Sequence, residues 1–240
     1  MKKNIQSILK RDLEVIPLTA YFISYFLYLF FERILEKDDY ALLVKPIIIP
    51  IIAFLYVTNK NSKRTVLNLT LLILIFISDN STLLEIRSLY VYATILYMLG
   101  VYILFYYAIL DMKFVNKNKS IRKNVTLILV VLLVLSLLFL VVNYNLKEKA
   151  AEKFVAFEYM IIFMLLFLLS IFNYIQLKSK KVKYLFLMIF CLFLAHVCFS
   201  MHKYYSGHVI FKYLICIVEV PVYYFLLKYL LKKDSELIEQ

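Results

Sequence analysis

Long apolar runs separated by short basic clusters make up most of this chain. A run such as Val125–Val142 carries no charged residue and shows no alternation of polar and apolar positions. It therefore reads as a buried or membrane helix, not as a strand of a closed barrel, whose lumen-facing positions would be polar. A hydrocarbon layer about 30 Å thick takes roughly 20 helical residues to cross. About eight segments meet or approach that length: Val15–Phe31, Ala41–Val57, Thr65–Leu84, Leu89–Leu110, Val125–Val142, Val155–Ile175, Tyr184–Met201 and Ile210–Leu230. Connections between them are short, apart from the hydrophilic stretches Asp111–Asn124 and Asn143–Phe154. The pattern predicts an all-α, polytopic membrane helical bundle of about eight transmembrane helices. It forms a single integral membrane domain over residues 1–240, with no room for a soluble one.

Composition agrees with that pattern. Of 240 residues, 64% are hydrophobic and the mean hydropathy is +0.82, more apolar material than one soluble core hides. The 2 glycines and 4 prolines leave little turn chemistry for a β-rich fold. The 3 cysteines, Cys191, Cys198 and Cys216, lie inside apolar segments without metal-ligand spacing, and read as small buried hydrophobes. Lysines ahead of the first apolar segment resemble a signal peptide, but no small-residue cleavage site follows Phe31, so that segment is kept as a span.

The net charge of +12 raises the question of nucleic acid. The basic residues sit at the ends of apolar segments, where they face lipid headgroups, and no nucleic-acid motif accompanies them. They also orient the bundle. Lys2, Lys3, Lys10 and Arg11, then Lys60, Lys63 and Arg64, then Lys113, Lys117, Lys119, Arg122 and Lys123 fall on one side. Lys178, Lys180, Lys181, Lys183, Lys228, Lys232 and Lys233 fall on that side too. The opposite connections hold fewer: Arg33, Lys37, Arg87, Lys147, Lys149, Lys153, Lys203 and Lys212. The positive-inside rule then puts both termini in the cytoplasm, as for an integral protein of a bacterial inner membrane.

Ionisable residues at membrane depth cost about 2.5–3.5 kcal/mol at mid-helix, so each asks for a partner or a task. Lys45, Asp79, Glu158, His196 and Glu219 stand out. At about 1.5 Å of rise per residue, Asp79 lies roughly 21 Å along its outward-running segment and His196 roughly 18 Å along its own. Lys45 and Glu158 lie within about one turn of the outer boundary and Glu219 about 14 Å from it. All fall in the outer half of the bilayer. Plainer readings exist: Lys45 can snorkel, Glu158 can be interfacial, and His196 can be a neutral core histidine. Pro221 beside Glu219 frees a carbonyl and can create a local polar niche. Asp79 is hardest to place passively, because a carboxyl at that depth must be protonated or paired with a cation such as Lys45. Lys45-Pro46 with Pro50 should distort the second segment, and Gly100 allows close backbone approach in the fourth. Of the 21 tyrosines, several mark span ends, while Tyr97, Tyr102, Tyr106 and Tyr107 lie within the fourth segment, as packing or as a cavity lining.

Lys45-Pro46, Ser78-Asp79 followed by Leu83-Leu84, Gly100 with its aromatics, the polar break Ala195-His196 and then Tyr213 occur in that order. Over roughly residues 40–230 this resembles the YhhN-type lysoplasmalogenase family of eight-span membrane proteins, as a divergent member. In that family a Lys-Pro pair, a Gly-Asp-containing segment and a later Ser-Asp-like segment recur. Here Ser78 replaces the glycine, Ala195-His196 replaces the later Ser-Asp, and Tyr106 stands where a histidine is often found.

The resemblance implies a membrane-embedded hydrolase that cleaves the vinyl ether of a lysophospholipid and releases a fatty aldehyde. Protonation of the vinyl β-carbon gives an oxocarbenium-like cation that water captures, so the site needs a general acid and a group that orients water. Asp79 suits the acid, and His196 or Glu219 the water. Lys45 can bind the phosphate or set the protonation of Asp79, with Tyr106 and Glu158 beside it on the substrate side. That chemistry requires no cofactor, metal or nucleotide, and the implied partner is a membrane lipid or lysophospholipid. Two other classes stay open: a non-catalytic eight-span relative that binds lipid or senses the membrane, and a small proton-coupled transporter. No inverted repeat between the halves supports the transporter.

Overall fold

The computed structural model describes residues 2–83, 87–114, 150–202 and 208–238, and every regular element among them is helical. The helices are α1 (Lys2–Leu29), continued by a π-helical turn at Phe30–Ile34, α2 (Asp38–Thr58), α3 (Val66–Leu83) and α4 (Arg87–Met112). They continue with α5 (Ala150–Leu177), α6 (Lys180–Ser200), α7 (Val209–Glu219) and α8 (Val222–Ile238). The expected span Val125–Val142 lies outside the described residues.

Among the described residues 6 apolar stretches are long enough to cross a membrane: Val15–Glu32, Asp39–Thr58, Val91–Met112, Phe154–Leu177, Lys180–Ser200 and Val209–Glu236. Val66–Ser81 is a shorter apolar helix in the place of the predicted third span. The described residues are thus all-helical, and their long apolar helices mark an integral membrane protein. Two expectations about proline come out differently. Pro46 and Pro50 lie inside α2, which runs unbroken from Asp38 to Thr58. Each proline removes one backbone bond and keeps a helical φ, and packed membrane helices absorb that loss. Pro221, in contrast, falls at a real interruption, with α7 ending at Glu219 and α8 starting at Val222.

Contacts between side chains fix the direction of each helix. Phe31 packs on Tyr40, Tyr56 bonds to Asn68, and Ser78 bonds to the Ala93 carbonyl, so α1 to α4 alternate up and down. Asn173 Nδ2 donates to the Ala108 carbonyl at 2.7 Å, joining the C-terminal parts of α5 and α4, which therefore run the same way. Tyr174 stacks on Phe186 and Phe167 on Phe193, so α6 returns antiparallel to α5. The bundle thus has one end at Asp79 and Tyr223 and another at Asp234. At Gly100 a Cβ would stand 3.4 Å from Leu71 Cδ1, an ordinary contact, so glycine leaves slack between α4 and α3 without being obligatory.

The Asp234 end is sealed by a buried polar network. Asp234, fully buried, accepts from the Tyr56 hydroxyl at 2.6 Å, the Lys63 amide at 2.9 Å and Asn68 Nδ2 at 3.2 Å. Asn68 Oδ1 in turn accepts from the Tyr107 hydroxyl at 2.6 Å and from Lys233 Nζ at 3.1 Å. The Lys233 ammonium lies 3.8 Å from the Tyr107 ring centre, a cation–π contact. Beside this, Lys181 Nζ pairs with Asp111 at 2.8 Å and with Glu236. Charges at such depth persist only when paired and hydrogen-bonded, and here α2, α3, α4, α6 and α8 each supply a member of that pairing.

Candidate functional site

At the opposite end the helices are interrupted and the polar groups converge. Asp79 sits in the last turns of α3, a segment fastened to α4 by the Ser78 hydroxyl, which donates to the Ala93 carbonyl at 2.7 Å. The Tyr223 hydroxyl donates to Asp79 Oδ2. Tyr223 belongs to the first turn of α8. Lys45, near the start of α2, is within electrostatic reach of Asp79, and its Nζ stands 4.9 Å from the Tyr28 ring centre. Glu32, in the π-helical turn after α1, joins the same field.

Tyrosines fill the space between these charges. Tyr25 packs edge-on against Tyr21 and Tyr28 and at 5.9 Å from Tyr223, and it senses both Glu219 and Asp79. Tyr97, on α4, senses Asp79 and Glu219 from the other side. Below them is a narrow cavity of about 20 Å³, lined by Tyr97, Gly100, Val222, Tyr223 and apolar side chains of α3, α5 and α6. That is room for about one water molecule.

The break that carries Glu219 and Tyr223 is held by α1. Pro221 has no amide proton, and unlike at Pro46 and Pro50 the helical hydrogen bonding lapses here, between Glu219 and Val222, while Val220 keeps a helical backbone. The Tyr21 hydroxyl donates to the Val220 carbonyl at 2.5 Å, and the amides of Tyr223 and Tyr224 lie within reach of the Tyr21 phenol oxygen. One phenol therefore serves backbone groups that the interruption releases.

The sequence-derived candidates divide in three ways. Asp79, Lys45 and Glu219 come together around Tyr25, Tyr97 and Tyr223. His196 on α6 is bonded at 3.0 Å to Tyr159, whose ring packs at 5.7 Å on Tyr97, so it meets the cluster through intervening tyrosines. Its ring is exposed on the outside of the described helices and packs edge-on against Phe163. Glu158 accepts from the Tyr102 hydroxyl at 3.2 Å on the α4–α5 surface, and Tyr106 is half exposed there against Tyr107.

Sequence reasoning missed Tyr25, Tyr97 and Tyr223 as partners of the carboxyls. The signal for Tyr223 was its place on the first turn after Pro221, four residues beyond Glu219. Among the described residues no group of His, Cys, Asp and Glu is placed to hold a metal ion. Comparison with protein-family models, with curated proteins and with solved structures gives no match for this chain.

Proposed function

We propose that this protein is a membrane-embedded hydrolase of the lysoplasmalogenase type, acting on the vinyl ether of a lysophospholipid. The observation that carries the reading is the Tyr223 hydroxyl on Asp79, with Lys45 in the field of that carboxyl and Glu219 sharing with Asp79 the field of Tyr25 and Tyr97. In this reading Asp79 in its acid form delivers a proton to the vinyl β-carbon, and the C–O bond gains oxocarbenium character. Water adds to the cation, and Glu219 receives the proton it loses. The resulting hemiacetal collapses to a fatty aldehyde and the glycerophospho-alcohol. Lys45 balances the carboxylate left on Asp79 and faces the substrate phosphate.

The orientation belongs to the same proposal. Met112 ends α4 at the Asp234 end, and Ala150 begins α5 at the other end. The chain between them accordingly starts on one side of the bundle and finishes on the other, which supports a further crossing at Val125–Val142 and a total of eight. Lys60, Lys63, Lys178, Lys180 and Lys183 mark the Asp234 end as the cytoplasmic one, in a bacterial inner membrane. The Asp79 cluster then opens toward the outer leaflet.

The test is aldehyde release from lysoplasmalogen by the purified protein in lipid nanodiscs. The wild type releases aldehyde, and Asp79→Asn lowers the rate by about 10²–10⁴-fold, the usual contribution of a general acid. Equal rates in the two proteins, or none in the wild type, reject the hydrolase. A lipid-binding relative without turnover is the second reading, favoured by the small cavity and by His196 standing apart from Asp79. It predicts saturable lysolipid binding with no aldehyde.

A further inference from the structure

We infer that Tyr223 is a positioning residue for Asp79, and that the helix break at Val220–Pro221, closed by Tyr21, is the device that presents it. The inference deepens the hydrolase reading in naming a residue for it, yet the geometry stands without turnover. Tyr223 is buried, its ring is fixed against Tyr25, and its hydroxyl donates to Asp79 Oδ2. An uninterrupted helix through residue 221 would carry its first-turn side chains along a different line. Pro221 sets the interruption, and Tyr21 holds it by bonding the Val220 carbonyl at 2.5 Å from a side chain that is itself fully buried. The carboxyl on α3 is thereby oriented by α8, whose start is fixed by α1.

Lys45 acts on Asp79 electrostatically and has the Tyr28 ring centre 4.9 Å from its Nζ. Tyr97 and Tyr25 share its field while lying mainly against other rings. Ser78 fastens the backbone of α3. A hydrogen bond from a buried, packed phenol limits rotation of the Asp79 carboxyl. For a proton donor the consequence is geometric, since an acid must face the atom it protonates.

Infrared spectroscopy of the full chain in lipid reads this directly. The Asp79 carboxyl band is the one that Asp79→Asn removes and Asp79→Glu displaces. Tyr223→Phe keeps the ring and its packing, so it is expected to melt like the wild type while shifting that band. Tyr21→Phe touches no carboxyl, and it is expected to move the same band in the same direction by less. In active protein Tyr223→Phe lowers kcat about tenfold or more with KM within about twofold, the split expected when orientation and not binding is lost. An unshifted Asp79 band in a folded Tyr223→Phe protein overturns the inference. A shifted band in a protein that releases no aldehyde leaves it standing and rejects the hydrolase alone.

Discussion

The two ends of this bundle treat buried charge in opposite ways. At the Asp234 end continuous helices deliver Asp234, Asn68, Tyr56, Tyr107 and Lys233 into one network in which both Asp234 carboxylate oxygens and Asn68 Oδ1 find donors. At the Asp79 end the backbone is interrupted, by a π-helical turn after α1 and by Pro221 between α7 and α8, and Asp79 receives a hydroxyl from Tyr223. Cross-linked polar networks hold a membrane bundle in one arrangement. Interrupted helices give up backbone bonds and supply directed polar groups in exchange, as broken helices around membrane sites do. The difference separates the end whose buried charges are cross-linked from the end whose helices are interrupted.

The largest effect that tests this contrast is expected from Asp234→Ala. It removes the acceptor of the Tyr56 hydroxyl, the Lys63 amide and Asn68 Nδ2, and should cost about 3–5 kcal/mol in unfolding free energy, measured by denaturant titration in detergent micelles. A loss under about 1 kcal/mol would mean that the network is wet and loosely held. Next comes Lys181→Met, which leaves Asp111 buried without its cation, with an expected loss of about 3 kcal/mol. Adding Asp111→Leu should recover most of that loss, and a double-mutant cycle measures the coupling. At the other end Asp79→Asn is expected to change unfolding by about 1 kcal/mol or less. A cost as large as that of Asp234→Ala would erase the distinction between the ends.

The smallest effect concerns the exposed pair of Glu36 and Lys212, which ties the turn after α1 to α7. The Lys212 ammonium beside Glu36 holds its carboxyl below the usual carboxylate range. A lowered folded-state value means that the pair contributes fully above about pH 4.3, the ordinary glutamate value. Its contribution fades as the pH falls through the lower value of the folded protein. Lys212→Ala should therefore leave the acid-side melting profile flatter than in the wild type, with a difference near the limit of detection for so exposed a pair. A difference that grows below that pH would contradict the assignment.

Much of the architecture was legible because a membrane imposes a length, and runs such as Val91–Met112 and Phe154–Leu177 satisfy it. Helix direction and depth grouped Lys45, Asp79, Glu158, His196 and Glu219 at one end, and could not separate those that share a field from those that do not. The Asp234 network was invisible for a physical reason. Asp111, Lys181, Lys233 and Asp234 lie within a turn or two of a helix end, where a charged side chain can point out to water or fold back into the bundle. Lys181 and Lys233 were read as cytoplasmic loop charges for orientation, yet Lys181 is 7% exposed and pairs with Asp111. Only neighbours from other helices decide between those outcomes, and they are distant in sequence. Pro46, Pro50 and Pro221 teach the same lesson, since the two prolines within α2 are absorbed and the one after Glu219 ends a helix.

The bond from Tyr21 to the Val220 carbonyl spans 199 positions of sequence. During synthesis α1 reaches the bilayer long before α7 and α8 are made, and for that interval its phenol has no carbonyl of theirs to meet. The arrangement around Asp79 can be assembled only after these late helices have been inserted and have found α1. Until then the growing chain holds Asp79 without the Tyr223 hydroxyl that meets it in the finished bundle.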